Sequence, residues 1–382
     1  MKWDPYDELA NPHLVYRWLR DEAPVYKTPK QGFYALSRHA DIVAALLDHG
    51  TFSSRLSAFP KPEHLPIVQM DPPKHDELRA VVSRPFLPRE VEKLEASIRA
   101  LVTRRLDEMA EGTCDFVTAF AERVPSDVVG GLLGVPEEDR PGLRSWAGEF
   151  MARDPGSAIP PARSIAAIQS LKDYFIALRP ERDRSPRQDL ITAISQARVR
   201  QARLSDADYA ALCAMVAIAG YETTTNLICH ALVELFKHPE QRMWLARHLE
   251  ACPNAIKETL RYCTPTQLVH RTATRDVQLH DVNIPRGSPV VLLLVSAGRD
   301  ERRYQDAERY DIHRVDVDSL AFGQGRHTCF GAPLAKLETR IVLEEVLRRF
   351  PKYQLDLSGT LRSGPSSSFG YQRIPGELAP SV

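Results

Sequence analysis

The chain has 382 residues, and its 50 Lys and Arg balance 50 Asp and Glu for a formal net charge of zero. That balance argues against nucleic acid or an acidic polymer as partner, so any basic patch must be local. Hydrophobic residues at 43% and charged residues at 26% describe an ordinary globular protein. The opening "MKWDPYDELA" contains no apolar h-region, so neither a secretory signal nor a membrane anchor is expected. Six cysteines with no CxxC pair point to free thiols in a reducing cytoplasm rather than to disulfides or a zinc site.

In chain order, Asp41–His49 reads as a short amphipathic helix. Arg89–Glu111 reads as a longer one, with Val91, Leu94, Ile98, Leu101, Val102 and Leu106 at helical spacing. Gly134 closes a helix and Pro136 lies near the start of the next. Gly142–Met151 and Ile165–Leu178 are predicted helices joined by "ARDPGSAIPP", a loop and candidate lid. Leu204–Lys237 is the dominant element, with a capping box at Ser205 and Asp208 and a stop at Pro239. Its apolar run Ala210–Tyr221 is too short to span a bilayer and meets Glu222. Asn254–Tyr262 is helical, residues after Thr264 form short strands and turns, and Leu334–Phe350 is helical again. The expected fold is mainly α with minor β, in one domain spanning 1–382.

Four stretches carry chemistry. In "AFGQGRHTCFGAPLAKLE", Cys329 sits among Gly323, Gly325 and Gly331, which let backbone approach something bulky. The following helix should lower the thiol pKa. From the residues alone Cys329 could be buried filler, a nucleophile or a metal ligand. In "AIAGYETTTN", Glu222 and Thr223 sit in an apolar helix, a costly placement unless they are hydrogen-bonded or functional. Gly220 thins that helix, and Thr223 can bond back to the preceding turn and open the ladder. "KETLRY" places Glu258 and Arg261 on one helix face, where they can pair. "MDPPKHDELR" places His75 and Arg79 one turn apart.

Together these stretches resemble the cytochrome P-450 superfamily, in the required order, from about Asp21 to the end. Phe322, Gly323, Gly325, His327, Cys329 and Gly331 match its haem-binding signature. The resemblance implies the mainly-α P-450 fold and haem b (iron protoporphyrin IX), with Cys329 as axial iron ligand. Phe322 and Gly331 would lie against the ring, and His75, Arg79, Arg271 and His327 would meet the propionates. Glu222 and Thr223 would relay protons, while Glu258, Arg261 and Arg309 would brace the cysteine region. "AGRDE", "DAERY" and Ser319 depart from the common pattern and touch packing only.

The implied activity is a haem-thiolate monooxygenase that inserts one oxygen atom of dioxygen into a C–H bond of a hydrophobic small molecule, in bacterial secondary metabolism or catabolism. Epoxidation, oxidative coupling, desaturation and peroxide-driven oxidation are the catalytic alternatives, and a non-catalytic haem carrier or sensor is the rival from another class. Expected substrate contacts are Met215, Ile218, Ala219 and Thr223 on the long helix, Thr266, Gln267, Leu268 and Val269 after it, and Tyr371 and Gln372 in the tail. The proline-containing segment between Ser54 and Met70 would cover the substrate. Electrons would come from a ferredoxin and its NAD(P)H-dependent reductase, docking near Arg326, Lys336 and Arg340 on a cytoplasmic monomer.

Overall fold

The computed structural model describes residues 2–7, 12–55, 67–109, 113–363 and 368–378. The proposed substrate cover between Ser54 and Met70 falls largely on residues 56–66, outside the described residues. At the centre runs the helix Asp206–Lys237, packed by helices Ala162–Arg184, Arg123–Leu133, Arg140–Met151 and Ala332–Arg349. Ser205 caps it as expected, its Oγ accepting the Asp208 amide at 3.1 Å. By length and composition this helix alone, among the described residues, could cross a membrane, but it is largely buried inside the helical core. That burial explains its apolar residues on every face.

The other predicted helices occur with shifted ends. His39–Leu47, Arg140–Met151, Cys252–Tyr262 and Ala332–Arg349 stand where helices were expected. The helix expected over Arg89–Glu111 is instead split into Pro88–Val91, a tight turn at Glu92–Leu94, and Glu95–Glu108. Its end comes early because Met109 is extended and Thr113–Asp115 is drawn into a strand against Pro375–Glu377. The helix expected over Ile165–Leu178 runs on through Pro180 to Arg184. Gly134 closes its helix in the left-handed region at φ 86°, where glycine carries no side-chain penalty.

A second core forms around a five-stranded sheet ordered Val25–Lys27, Tyr34–Leu36, Pro289–Leu292, Val269–Ala273, Phe52–Ser53. Strand Pro289–Leu292 is parallel to Tyr34–Leu36, and the other pairings are antiparallel. Arg271 sits opposite Val290, so the sheet register delivers this cation to the edge of the helical core.

The two cores meet near a buried ion pair. Glu258 and Arg261 are wholly buried and joined bidentately at 2.7 and 2.8 Å. Arg261 also donates to the carbonyls of Gly298 and Ala307 at 2.7 Å and of Arg309 at 2.9 Å. Gly298 must be glycine, since a Cβ there would lie 2.1 Å from the Arg261 carbonyl oxygen. The second cation at Glu258 is Arg314, at 3.4 Å, and this corrects the expectation for Arg309 as third member of the trio. The Arg309 backbone turns its side chain outward, where it is 68% exposed and pairs with Asp311 at 3.5 Å. Only the Arg309 carbonyl serves the brace.

Breaking a buried pair leaves an uncompensated charge, so Glu258→Ala should lower unfolding free energy by about 3–5 kcal/mol in a urea titration. Arg309→Ala, changing an exposed side chain, should stay within about 0.5 kcal/mol of the parent.

Candidate active site

The cysteine loop is built from two tight turns, Leu320–Phe322 and Gly325–His327, ahead of helix Ala332–Arg349. Ser319 caps the first turn, accepting the Ala321 amide at 3.2 Å. Phe322 accepts the Cys329 amide at 2.8 Å through its carbonyl, which fixes where the thiol points. Gly323 and Gly325 adopt φ of 67° and 70°, conformations that favour glycine. A Cβ on Gly331 would meet nothing closer than the Cys329 sulfur at 3.7 Å. Protein packing therefore does not explain Gly331; keeping the face beside the sulfur open does.

Cys329 is the exposed one of the six cysteines. It is nonetheless crowded by protein, as a side chain facing an interior concavity would be. Burial pushes its thiol pKa up, against the amides of Gly331 and Ala332 and the charge of Arg79. The expected lowering by the helix terminus is thus corrected: the terminus acts in the expected direction, and desolvation outweighs it.

Above this loop the cations gather. The His75 and His327 rings lie 4.2 Å apart, and Ser54 Oγ hydrogen-bonds His327 Nε2 at 3.0 Å. Arg79 donates to the Thr328 carbonyl at 2.6 Å and stands over the Phe330 ring. Arg271 is buried, with its own neighbour's carbonyl at His270 as a partner at 2.7 Å. Burial, with Arg271 and His75 adding repulsion, pushes the His327 pKa down to about 3. His75 is fully buried with Nδ1 on Asp76 at 2.7 Å, while its Nε2 has no partner. Buried His75 and Arg271 beside the partly exposed Arg79 and His327, with one nitrogen orphaned, suit an anion. A flat dianionic group with a metal for the thiol, such as haem, fits this donor set.

On the long helix, Thr223 Oγ1 bonds back to the Ala219 carbonyl at 2.8 Å and Thr225 Oγ1 to that of Tyr221 at 2.9 Å. The helix nevertheless continues unbroken through this turn. Ala219 is exposed after the buried run Ala210–Ile218 and ahead of the partly exposed residues 220–223, so the turn faces open space. Gly220 has a different reason from the one expected: a Cβ would lie 2.5 Å from Val129 of helix Arg123–Leu133. It serves close helix packing.

A cavity of about 520 Å³ adjoins this turn. Glu222, Tyr371 and Gln372 line it, joined by Arg153, Asn226 and Met151. Met215, Ile218 and Leu268 are instead packed into the cores, which corrects their expected substrate contact. Gln267 is also buried, held by Tyr16 Oη at 3.4 Å and donating to the Thr264 carbonyl at 3.3 Å. Thr266 bridges to Ser368, and Val269 opens a sheet strand. Arg153 was missed because it sits in the candidate lid loop; Asn226, one turn beyond Glu222, could have been found by helical spacing.

Burial raises the Glu222 pKa to about 7, against Arg153 and then Asn226. Neither closes a hydrogen bond of proper geometry with Oε2, and both Glu222 Oε2 and Asn226 Nδ2 are buried without a partner. Near the cysteine, Arg326 pairs with Asp76 at 2.6 Å, and Arg340 pairs with Glu95 and Glu344 at 2.7 and 2.9 Å. Lys336 stands over the Phe322 ring at 5.2 Å.

The Cytochrome P450 family profile matches residues 165–353. "Cytochrome P450 130" of Mycobacterium tuberculosis is 37% identical, over 93% of this chain and 92% of that protein. "Putative cytochrome P450 123" of the same organism is 35% identical, over 97% and 96%. The structure of a mutant of P450 EryK in complex with erythromycin B superposes with TM-score 0.91 at 31% identity, covering 97% and 96%. The chain belongs to the cytochrome P450 family, as a monooxygenase whose cofactor is haem iron.

Between the ordinary carboxylate range and about 7, folded Glu222 holds a proton that the unfolded chain has released, so stability falls as pH rises through that window. Glu222→Gln cannot ionise, and its Tm advantage over the parent should grow from about pH 5 to about pH 8. A pH-independent difference would count against the raised pKa.

Proposed function

We propose that the protein hydroxylates a C–H bond of a hydrophobic small molecule, with Glu222 and Thr223 passing protons from the 520 Å³ cavity toward dioxygen. The observation that carries this reading is the unpartnered Glu222 carboxyl beside the Thr223 hydroxyl, on a helix turn facing open space. A carboxyl with pKa near 7 can both accept and release a proton at neutral pH. Thr223 Oγ1, held on the Ala219 carbonyl, is fixed in direction and keeps its lone pairs for an incoming donor. Haem b, held through Cys329, would supply the reductive activation of dioxygen. His75, Arg79, Arg271 and His327 would hold its propionates, and Phe322 and Gly331 would border its proximal face.

Tyr371, Gln372, Ala219 and Thr223 would contact substrate. A ferredoxin with its NAD(P)H-dependent reductase would supply electrons in a cytoplasmic setting. Lys336 is the basic group near the cysteine best placed to meet such a partner, since Arg326 and Arg340 are engaged by carboxylates. Secondary metabolism or catabolism is the setting we favour.

The reduced carbon-monoxide difference spectrum should show the long-wavelength thiolate Soret band; a protein that binds haem without that band would rule the reading out. Cys329→Ser should lose the band, and serine at Cys114, Cys213, Cys229, Cys252 or Cys263 should keep it. Thr223→Ala should keep it too, while product formed per electron pair falls about tenfold or more and hydrogen peroxide takes its place. Turnover that stays fully coupled in Thr223→Ala would remove the proton-relay role.

A further inference from the structure

Beyond the relay, the long helix makes a directed contact with the tail segment that leads into Tyr371 and Gln372. His230 lies two turns past Thr223 and is buried, and its Nε2 hydrogen-bonds the Phe369 carbonyl at 2.8 Å. Its ring stacks on Phe369 at 5.8 Å with an interplanar angle of 12°, and meets the Tyr371 ring edge-on at 5.5 Å. Burial lowers the His230 pKa to about 4, so the ring is neutral at physiological pH, with Nε2–H the donor that the carbonyl requires.

One turn earlier Asn226 completes the seat. A Cβ on Gly370 would lie 1.8 Å from Asn226 Oδ1, so only glycine lets the tail backbone rest on this side chain. Neither helix residue is explained by helix stability. Both are polar and buried in an otherwise apolar stretch, a placement that costs free energy unless it secures something. What it secures is the height of one short segment.

Neighbours outside the helix also hold this segment, whose strand Tyr371–Arg373 pairs with Leu361–Arg362. The Phe369 amide donates to the Pro265 carbonyl at 2.8 Å, and Ser368 bridges to Thr266. The Ser363 amide donates to the Gly370 carbonyl at 3.1 Å. Arg362 lies over the Phe369 and Tyr371 rings at 4.6 and 5.4 Å. Immediately after these anchors come Tyr371 and Gln372, which form part of the cavity wall shared with Glu222.

We propose that His230, seated with Asn226 against Gly370, is a positioning residue that sets how far the Tyr371–Gln372 wall reaches over the reaction site, and so which ligands fit. This rests on the haem-thiolate reading of the site. His230 touches neither thiol nor relay, so its effect should grow with ligand size.

Two azole probes separate the possibilities by Soret titration of the haem-loaded protein: imidazole, which reaches no further than the iron, and clotrimazole, whose triaryl body must lie against the surrounding walls. His230→Ala should leave imidazole affinity within about twofold, because that ligand does not sense the wall. Clotrimazole affinity should change about tenfold, the effect of one buried hydrogen bond. His230→Gln, which retains an N–H donor, should restore most of the parent ratio between the two probes. Gly370→Ala, acting from the other side of the contact, should shift the ratio as His230→Ala does, and it decides the matter if the histidine variant does not fold. An unchanged ratio in the folded variants, or equal weakening of both probes, would overturn the positioning role. A parent protein lacking the thiolate carbon-monoxide band would instead sink the haem-thiolate reading itself.

Discussion

Because the Asp206–Lys237 helix is packed by protein along most of its length, every polar side chain it carries must find a partner within reach or face a cavity. Thr223 and Thr225 solve this locally by bonding to carbonyls one turn back. His230 solves it by reaching across to the Phe369 carbonyl. Glu222 Oε2 and Asn226 Nδ2 find no partner, and both residues line the cavity together with Tyr221 and Thr225. The constraint thus leaves a carboxyl oxygen and an amide nitrogen of this helix unpaired beside the cavity. It also raises the Glu222 pKa into the range useful for moving protons at neutral pH.

The cysteine loop works under the opposite constraint. Its glycines and open flank keep side chains away from the sulfur, while His75, Arg79, Arg271 and His327 converge from two different elements and the sheet. Burial, with the charges of Arg271 and His75 adding to it, holds the His327 pKa well below its usual value. Such an arrangement persists because the fold is anchored elsewhere. The buried Glu258–Arg261 pair and its four carbonyl and cation partners tie the last helical turn before the sheet to the loops that lead to Cys329.

Much of this architecture was legible in the order of residues. The apolar period of the long helix and its Ser205 cap are local properties, and they predicted its extent to within two residues. Strands of two or three residues, such as Val25–Lys27 and Tyr34–Leu36, are too short to show alternation, and their pairing lies entirely in distant partners. Met215 and Ile218 illustrate the same limit on the helix itself. Their spacing puts them on a face near the functional turn, but only the packing of neighbouring helices decides that this part of the face is core.

What the sequence determined by itself was chemical identity: a cysteine among glycines, an acid and hydroxyl in an apolar helix, and a Glu–Arg pair at helical spacing. These are fixed by residue type and short spacing, which survive any arrangement of the remaining chain. Tertiary structure alone decided the partners. It chose Arg314 over Arg309 for Glu258, because backbone direction after the pair turns one side chain inward and the other out. It placed Val129 against Gly220, brought Arg153 out of a loop to face Glu222, and set Gly370 upon Asn226. Each is a contact between residues far apart in the chain, where sequence spacing carries no geometric information and only close packing selects which atoms meet.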